Sequence, residues 1–192
     1  MPRQYRFLAA ILVVCLILIA HIVYMSFVCD DAFISFRYAQ NLAQGHGLVF
    51  NLGERVEGYT NFLWTLLLGL IVAVGARPEV VSIWISGTFM VGAVLAVVWL
   101  GYHRKGDYLF TGLLLATNGG IATWATGGLE TAMYTFCVTA AFALTVPAIV
   151  VNPDVSRGRF LTGSSIALIL ATLTRPEGIF VAGPILLIGS AF

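Results

Sequence analysis

Asn61 to Ala76 reads NFLWTLLLGLIVAVGA, and the topology of the chain turns on whether this run crosses a membrane. It is 16 residues long, just short of the roughly 17 to 25 a full helical span requires. Six other apolar runs surround it: Phe7 to Val28, Val80 to Tyr102, Tyr108 to Thr123, Thr131 to Val151, Phe160 to Thr174 and Gly178 to Phe192. If all seven cross from a cytoplasmic N-terminus, Arg3, Arg6, Arg77 and Arg175 stay inside. Arg37, Arg55, Arg104, Lys105, Arg157 and Arg159 then fall outside. That reverses the usual excess of basic residues on the cytoplasmic side. If Asn61 to Ala76 instead lies at the interface or re-enters, Arg104, Lys105, Arg157 and Arg159 move inside and Arg77 and Arg175 move out. Six basic residues are then inside and four outside, so the run is read as non-crossing.

Composition sets the class. The chain is 59% hydrophobic and 10% charged, with a mean hydropathy of +0.94. Soluble domains carry about 25% charged residues, so this is read as an integral membrane protein. The expected fold is all-α: a polytopic transmembrane bundle with juxtamembrane helices in its first extracytoplasmic loop. Residues 7–28 form the first span, read as an uncleaved signal anchor with the N-terminus in the cytoplasm; Arg3 and Arg6 precede it, and no small-residue cleavage site follows. Residues 29–79 form the loop, and residues 80–192 the further spans. Cys15, Cys29 and Cys137 give no disulfide framework. No basic stripe suggests nucleic acid, and no phosphate-cradling glycine loop, zinc spacing or Ser-His-Asp order is present.

The non-crossing topology gathers acids on one face. Asp30, Asp31, Glu54, Glu57, Glu79, Glu130 and Glu177 all fall outside, and only Asp107 and Asp154 inside. Carboxylates set in apolar sequence at span ends are costly and usually functional. The segment CDDAFISFRYAQNLAQGHG, 29–47, begins with the tandem pair. Asp30 or Asp31 can cap a helix that runs to about Gln44, where Gly-His-Gly stops it. On that helix Asp30, Ile34 and Arg37 share one face, and Asp31, Ser35 and Tyr38 the next. Leu48 to Phe50 reads as a short strand or extended piece. Arg55 and Glu57 follow, with Tyr59 and Trp64 as interfacial aromatics. Two further breaks, TWATGGLETAMY (123–134) with Glu130 and TRPEG (174–178) with Arg175 and Glu177, belong on the same side.

The stretch DDAFISFRYAQNLAQGHGLVFNLGERVEGYTNFLWTLLL resembles the first extracytoplasmic loop of the C-superfamily of integral membrane glycosyltransferases. The likeness is greatest to the branch that contains the actinobacterial terminal arabinofuranosyltransferase. GLETAMYTF and LTRPEG are similar to later motifs of that branch, in the same order. The resemblance implies inverting transfer of a glycosyl unit, a pentofuranose in that branch, from a polyprenyl-phosphate donor to an extracytoplasmic glycan or lipid hydroxyl. It implies Asp30 as general base with Asp31 as its partner. Arg37, Arg55 and Arg175 become the candidates for gripping the departing phosphate, with Glu57, Tyr59, Glu130 and Glu177 as further substrate contacts. No cofactor is assigned, although an aspartate pair can share a divalent cation with phosphate oxygens. Members of this family run to several hundred residues, so the chain is expected to be the N-terminal part of a longer enzyme. Two other readings compete. One is an inactive or split fragment packing against a C-terminal partner chain, which 20 glycines would suit. The other is a transporter segment, which calls for acids in mid-span.

Overall fold

The computed structural model describes residues 2–150 and 156–190. Asp154 and the ends of the runs at Val151 and Phe192 lie outside the described residues. Among those described there are nine helices and no strand: α1 (Arg3–Tyr24), α2 (Ala32–Ala43), α3 (Phe62–Val72), α4 (Pro78–His103), α5 (Tyr108–Ala116), α6 (Gly119–Trp124), α7 (Thr131–Val150), α8 (Ser156–Thr174) and α9 (Gly178–Ser190).

Two of them, α1 with 22 residues and α4 with 26, are long and apolar enough to cross a membrane. At 1.5 Å per residue they reach about 33 and 39 Å, against a hydrocarbon core of about 30 Å. In α1 the residues Ala10, Val14, Leu18 and Ile22 recur every fourth position and are buried. Leu8, Leu12, Leu16, Ile19 and Val23 on its other face are exposed. A helix apolar on both faces, with only one packed against protein, suits hydrocarbon rather than water on the other. The 11 residues of α3 reach only about 16 Å, and Gly75, with φ +91°, turns the chain after it.

The helices pack through small residues, as membrane helices do where backbones must approach closely. Val14, Leu18 and Ile22 of α1 meet Met90, Val94 and Val98 of α4, with Ala116, Ala122, Ala125 and Ala132 completing the cluster. α5 wedges against both at Gly112, where a β-carbon would stand 2.7 Å from Val14 and 2.9 Å from Val98. A second cluster joins Ala32, Phe36 and Ala39 of α2 to Trp64 and Leu68 of α3, Met133 and Cys137 of α7, and Ala171 of α8. A third joins α7, α8 and α9 through Ala141, Ala167, Leu168 and Ile185. There, Thr145 and Ser164 share a buried 2.7 Å hydroxyl hydrogen bond.

Four features depart from the sequence-based expectation. The first helix runs from Arg3 to Tyr24 rather than from Phe7 to Val28. After Tyr24 the chain leaves the helix for long-range partners: the Phe27 amide donates to Thr126 Oγ1, and the Cys29 amide to the Gly127 carbonyl. The run Tyr108 to Thr123 is two short helices. Asn118 breaks it, its side-chain oxygen accepting from the Ile121 amide as the N-cap of α6. Leu48 to Phe50 forms no strand; with no neighbouring strand to pair with, the Val49 and Phe50 carbonyls accept instead from α2 side chains. Finally, Trp64 is not interfacial. It is fully buried, and its indole N–H donates to the Gly128 carbonyl at 3.1 Å.

Candidate functional site

The acidic breaks meet at one end of the bundle. The Cys29 amide bonds to Gly127, the Trp64 indole to Gly128, and the Ser86 hydroxyl to Leu129. The turn 125–130 therefore ties the starts of α2 and α3 to α4. Gly128 allows the approach. Its φ is +80°, and a β-carbon there would stand 2.9 Å from Ala32 and 3.2 Å from Phe36. At the opposite end, Arg3 donates to the Tyr102 carbonyl, and Phe7 stacks on Tyr102 at 4.0 Å.

The nine candidate residues divide into three groups. Asp30 and Asp31 form the first. Both are exposed at the start of α2, and neither side chain caps the helix. The Asp30 Oδ1 accepts from the Asp31 amide at 3.0 Å and lies 3.4 Å from the Cys29 thiol. The Asp30 Oδ2 and the whole Asp31 carboxylate carry no protein partner among the described residues. The expected capping role is thus absent: Asp31 sits at the N-cap position with helical dihedrals, φ −58° and ψ −24°. An N-cap residue normally takes extended dihedrals to reach back to the free amides. As a metal centre, the Cys29 thiol and one oxygen from each aspartate lie within 4.8 Å of one another. The two carboxylates suit a hard divalent cation, and the thiol does not.

The second group, Glu130, Arg175 and Glu177, is anchored on buried polar residues of α2 and α3. Ser35, one turn below Asp31, accepts from the Asn61 side-chain amide at 2.9 Å. The same Asn61 nitrogen donates to Glu130 Oε2 at 2.8 Å, and Asn61 Oδ1 accepts from the Thr65 hydroxyl at 2.9 Å. Glu130 Oε1 is 3.5 Å from Arg175 Nε, which lies 3.7 Å from Glu177. The Arg175 guanidinium stands 5.9 Å above the Tyr134 ring. This network locks α2, α3, the start of α7 and the end of α8 together. Glu130, only 7% exposed, is held within it by Asn61 and Arg175. Ser35, Asn61 and Thr65 were missing from the sequence-based set. The available signal was Asn61, a polar residue opening an apolar run.

The third group lies along the loop. Arg37 Nε donates to the Phe50 carbonyl at 3.1 Å, leaving its terminal nitrogens without a partner among the described residues. Arg55, Glu57 and Tyr59 line a cavity of about 460 Å3 with His46, away from the buried network. Partial burial, then the Glu57 carboxylate, then Tyr38 raise the Tyr59 phenol above its ordinary value, so it remains a donor at neutral pH. Tyr38 holds the loop on α2: its hydroxyl donates to the Val56 carbonyl at 2.9 Å and accepts from the Gly58 amide at 3.0 Å. Tyr38→Phe is expected to cost about 1 kcal/mol and to speed tryptic cleavage after Arg55 severalfold. An unchanged cleavage rate would show that the hydroxyl does not restrain the loop.

An apolar groove of about 570 Å3 runs between α1 and α4. Ile22, Val23, Trp84, Gly87 and Val91 line it, and Ser26 and Thr126 belong to its lining. Thr126 is the residue that receives the Phe27 amide, so the groove adjoins the strand of chain leading into Asp30.

Fold and site together define an all-α bundle, two of whose helices are long and apolar enough to cross a membrane, with the acidic breaks brought to one end. Its sequence is similar to two curated proteins, each a terminal beta-(1->2)-arabinofuranosyltransferase. The one from Corynebacterium glutamicum is 37% identical over 81 residues, 41% of this chain. The one from Mycobacterium tuberculosis is 39% identical over 77 residues, 38% of this chain. In both, the match covers 12% of the relative's length. No family model and no solved structure matches the chain.

Proposed function

We propose that the chain is part of a membrane glycosyltransferase. It moves a glycosyl unit, of pentofuranosyl type, from a polyprenyl-phosphate donor to a hydroxyl of an extracytoplasmic glycan or lipid. In this reading the chain is multi-pass, with a cytoplasmic N-terminus and the acid end facing out. The observation that carries it is the pair of exposed, uncapped carboxylates of Asp30 and Asp31, a few residues along the chain from an apolar groove that Ser26 and Thr126 help to line. The similarity to two arabinofuranosyltransferases supports the same class of reaction.

The chemistry follows from the groups present. The Asp30 carboxylate takes the proton of the acceptor hydroxyl while that oxygen bonds to the anomeric carbon. The bond from that carbon to phosphate oxygen breaks on the opposite face. Its electron pair leaves with the polyprenyl phosphate, and configuration inverts. Arg37 shares the exposed face of α2 with Asp30, and its free terminal nitrogens can grip the phosphate in two places. Arg175 is less available, being flanked by Glu130 and Glu177. Asp30 and Asp31 would hold a divalent cation, which when bound would offset the phosphate charge. The acids sit at helix ends, and Glu130 is paired, which disfavours an ion path through the bundle.

In this reading the groove seats the isoprenoid tail. Gly87 has room for a side chain, its nearest neighbour to a β-carbon being the Ala125 carbonyl at 3.9 Å. Gly87→Leu is expected to fill part of the groove and raise the KM for a long-chain donor severalfold. The KM for a short-chain donor should stay near that of the parent. Equal effects on both would remove the tail from the groove. The test of the reaction itself is glycosyl transfer by Asp30→Asn and Asp31→Asn variants, in membranes that support transfer with the parent sequence.

A further inference from the structure

The end of the bundle opposite the aspartates carries a third cavity, of about 720 Å3, which the proposed transfer reaction does not use. We infer that it binds the headgroup of an anionic phospholipid. Arg3, Arg6 and Lys105 line it, together with Asp107, Tyr108 and the apolar Ala10 and Leu109. Arg3, Arg6 and Ala10 fall on the packing face of α1, the stripe continued by Val14, Leu18 and Ile22. Arg3 reaches the end of α4 at Tyr102, and Arg6, exposed one turn on, lines the same cavity.

Three observations favour an anion with a lipid tail. First, the charges are held ready. Arg3 is fixed by the Tyr102 carbonyl and ring, its guanidinium 4.6 Å from the ring centroid. The side chains of Arg6 and Lys105 have no ion-pair or hydrogen-bond partner among the described residues. Asp107, the acid in the lining, has one carboxylate oxygen turned to the α5 N-terminus, accepting from the Phe110 amide at 3.0 Å. Second, Lys105 occupies a position that favours glycine. The amide of Gly106 bonds to the Gly101 carbonyl and that of Lys105 to Tyr102, which closes α4 with a Schellman turn. The turn needs a left-handed residue, usually glycine, at the place where Lys105 stands with φ +56°. A lysine there is strained, and its ammonium is set at the cavity. Third, the cavity's walls are the ends of apolar helices, with Leu109 41% exposed and Phe110 64% exposed beside it. A ligand with charge at one end and hydrocarbon at the other meets both surfaces.

The strain at Lys105 permits a clean test. Lys105→Gly relieves the backbone and removes the charge, so the fold should become more heat-stable as binding falls. The purified chain in neutral detergent is titrated with phosphatidylglycerol, with phosphatidylcholine and with soluble glycerol 3-phosphate, and bound lipid is counted by native mass spectrometry. Phosphatidylglycerol is expected to bind at least tenfold more tightly than the other two. The Arg6→Gln/Lys105→Gly pair should abolish that preference with no loss of melting temperature. Equal binding of the two phospholipids, or an unchanged preference in the double variant, would overturn the site. Glycerol 3-phosphate binding as tightly as the lipid would make it a soluble-phosphate site and overturn the lipid assignment.

Discussion

Asp30→Asn is expected to lower glycosyl transfer at least a hundredfold while leaving the melting temperature of the protein unchanged. The amide keeps the size of the side chain and an oxygen that can still accept the Asp31 amide hydrogen bond seen at 3.0 Å. What disappears is a basic group able to take a proton, which is worth about 10² to 10⁴ in rate where it acts in the transition state. The loss should fall on kcat, because the proposed function has the donor held elsewhere, by the groove and by Arg37. Asp31→Asn should fall less far, since Asp31 stands beside the base and shapes the local charge. The measurement is transfer of labelled sugar to an alcohol acceptor at saturating donor, with membrane insertion checked in parallel. A double Asp30→Asn/Asp31→Asn variant transferring at the parent rate would take the pair out of the chemistry. A deeper loss for Asp31→Asn alone would exchange the two roles.

The second large effect is on stability. Asn61→Leu is expected to cost about 3 kcal/mol, because it strips partners from groups that water does not reach. Ser35, Thr65 and Glu130 each bond to the Asn61 side chain, and each is less than 9% exposed. A buried polar group left unpaired costs about 1–3 kcal/mol. Thr65 can turn its hydroxyl to a helix carbonyl, so the full sum for three groups is not reached. Glu130→Gln should cost less, about 1 kcal/mol. It preserves the shape, and the Arg175 side chain, 38% exposed, can find water when its partner's charge is gone. Because Asn61 and Glu130 share a bond, the double variant should lose less than the sum of the two. Denaturation of the four proteins in the same detergent measures this. Strictly additive losses would mean that the two residues do not act through each other.

How far these features could be read from sequence follows from the range of the forces behind them. The Asp30 and Arg37 face of α2 was legible because helical periodicity is local, and Ile34 and Arg37 are exposed while Ser35 and Tyr38 are buried. The turn at Gly45 and Gly47, both at positive φ, was legible for the same reason. The gathering of Glu130, Arg175 and Glu177 at one end followed from counting charges along the spans. Asn61 as the centre of their network did not, since its partners lie 26 and 69 residues away. The break at Asn118 was present as Asn-Gly-Gly, but average hydropathy hides one cap inside an apolar window. Leu48 to Phe50 looked extended because propensity scores the residues themselves, whereas α2 decides where their carbonyls go. Arg55, Glu57 and Tyr59 were grouped with the other candidates by side of the membrane, a scale too coarse to separate the cavity they line from the network around Asn61.

The segment from Val49 to Tyr59 is fastened by Arg37, Tyr38 and Asn41, three side chains of a single helix. A flap moored to one spar can be exchanged, lengthened or reshaped without the rest of the hull being rebuilt. Under the proposed function, whatever this flap touches can therefore diverge among kindred chains by rewriting a dozen surface residues, with Asp30 and Asp31 inherited untouched.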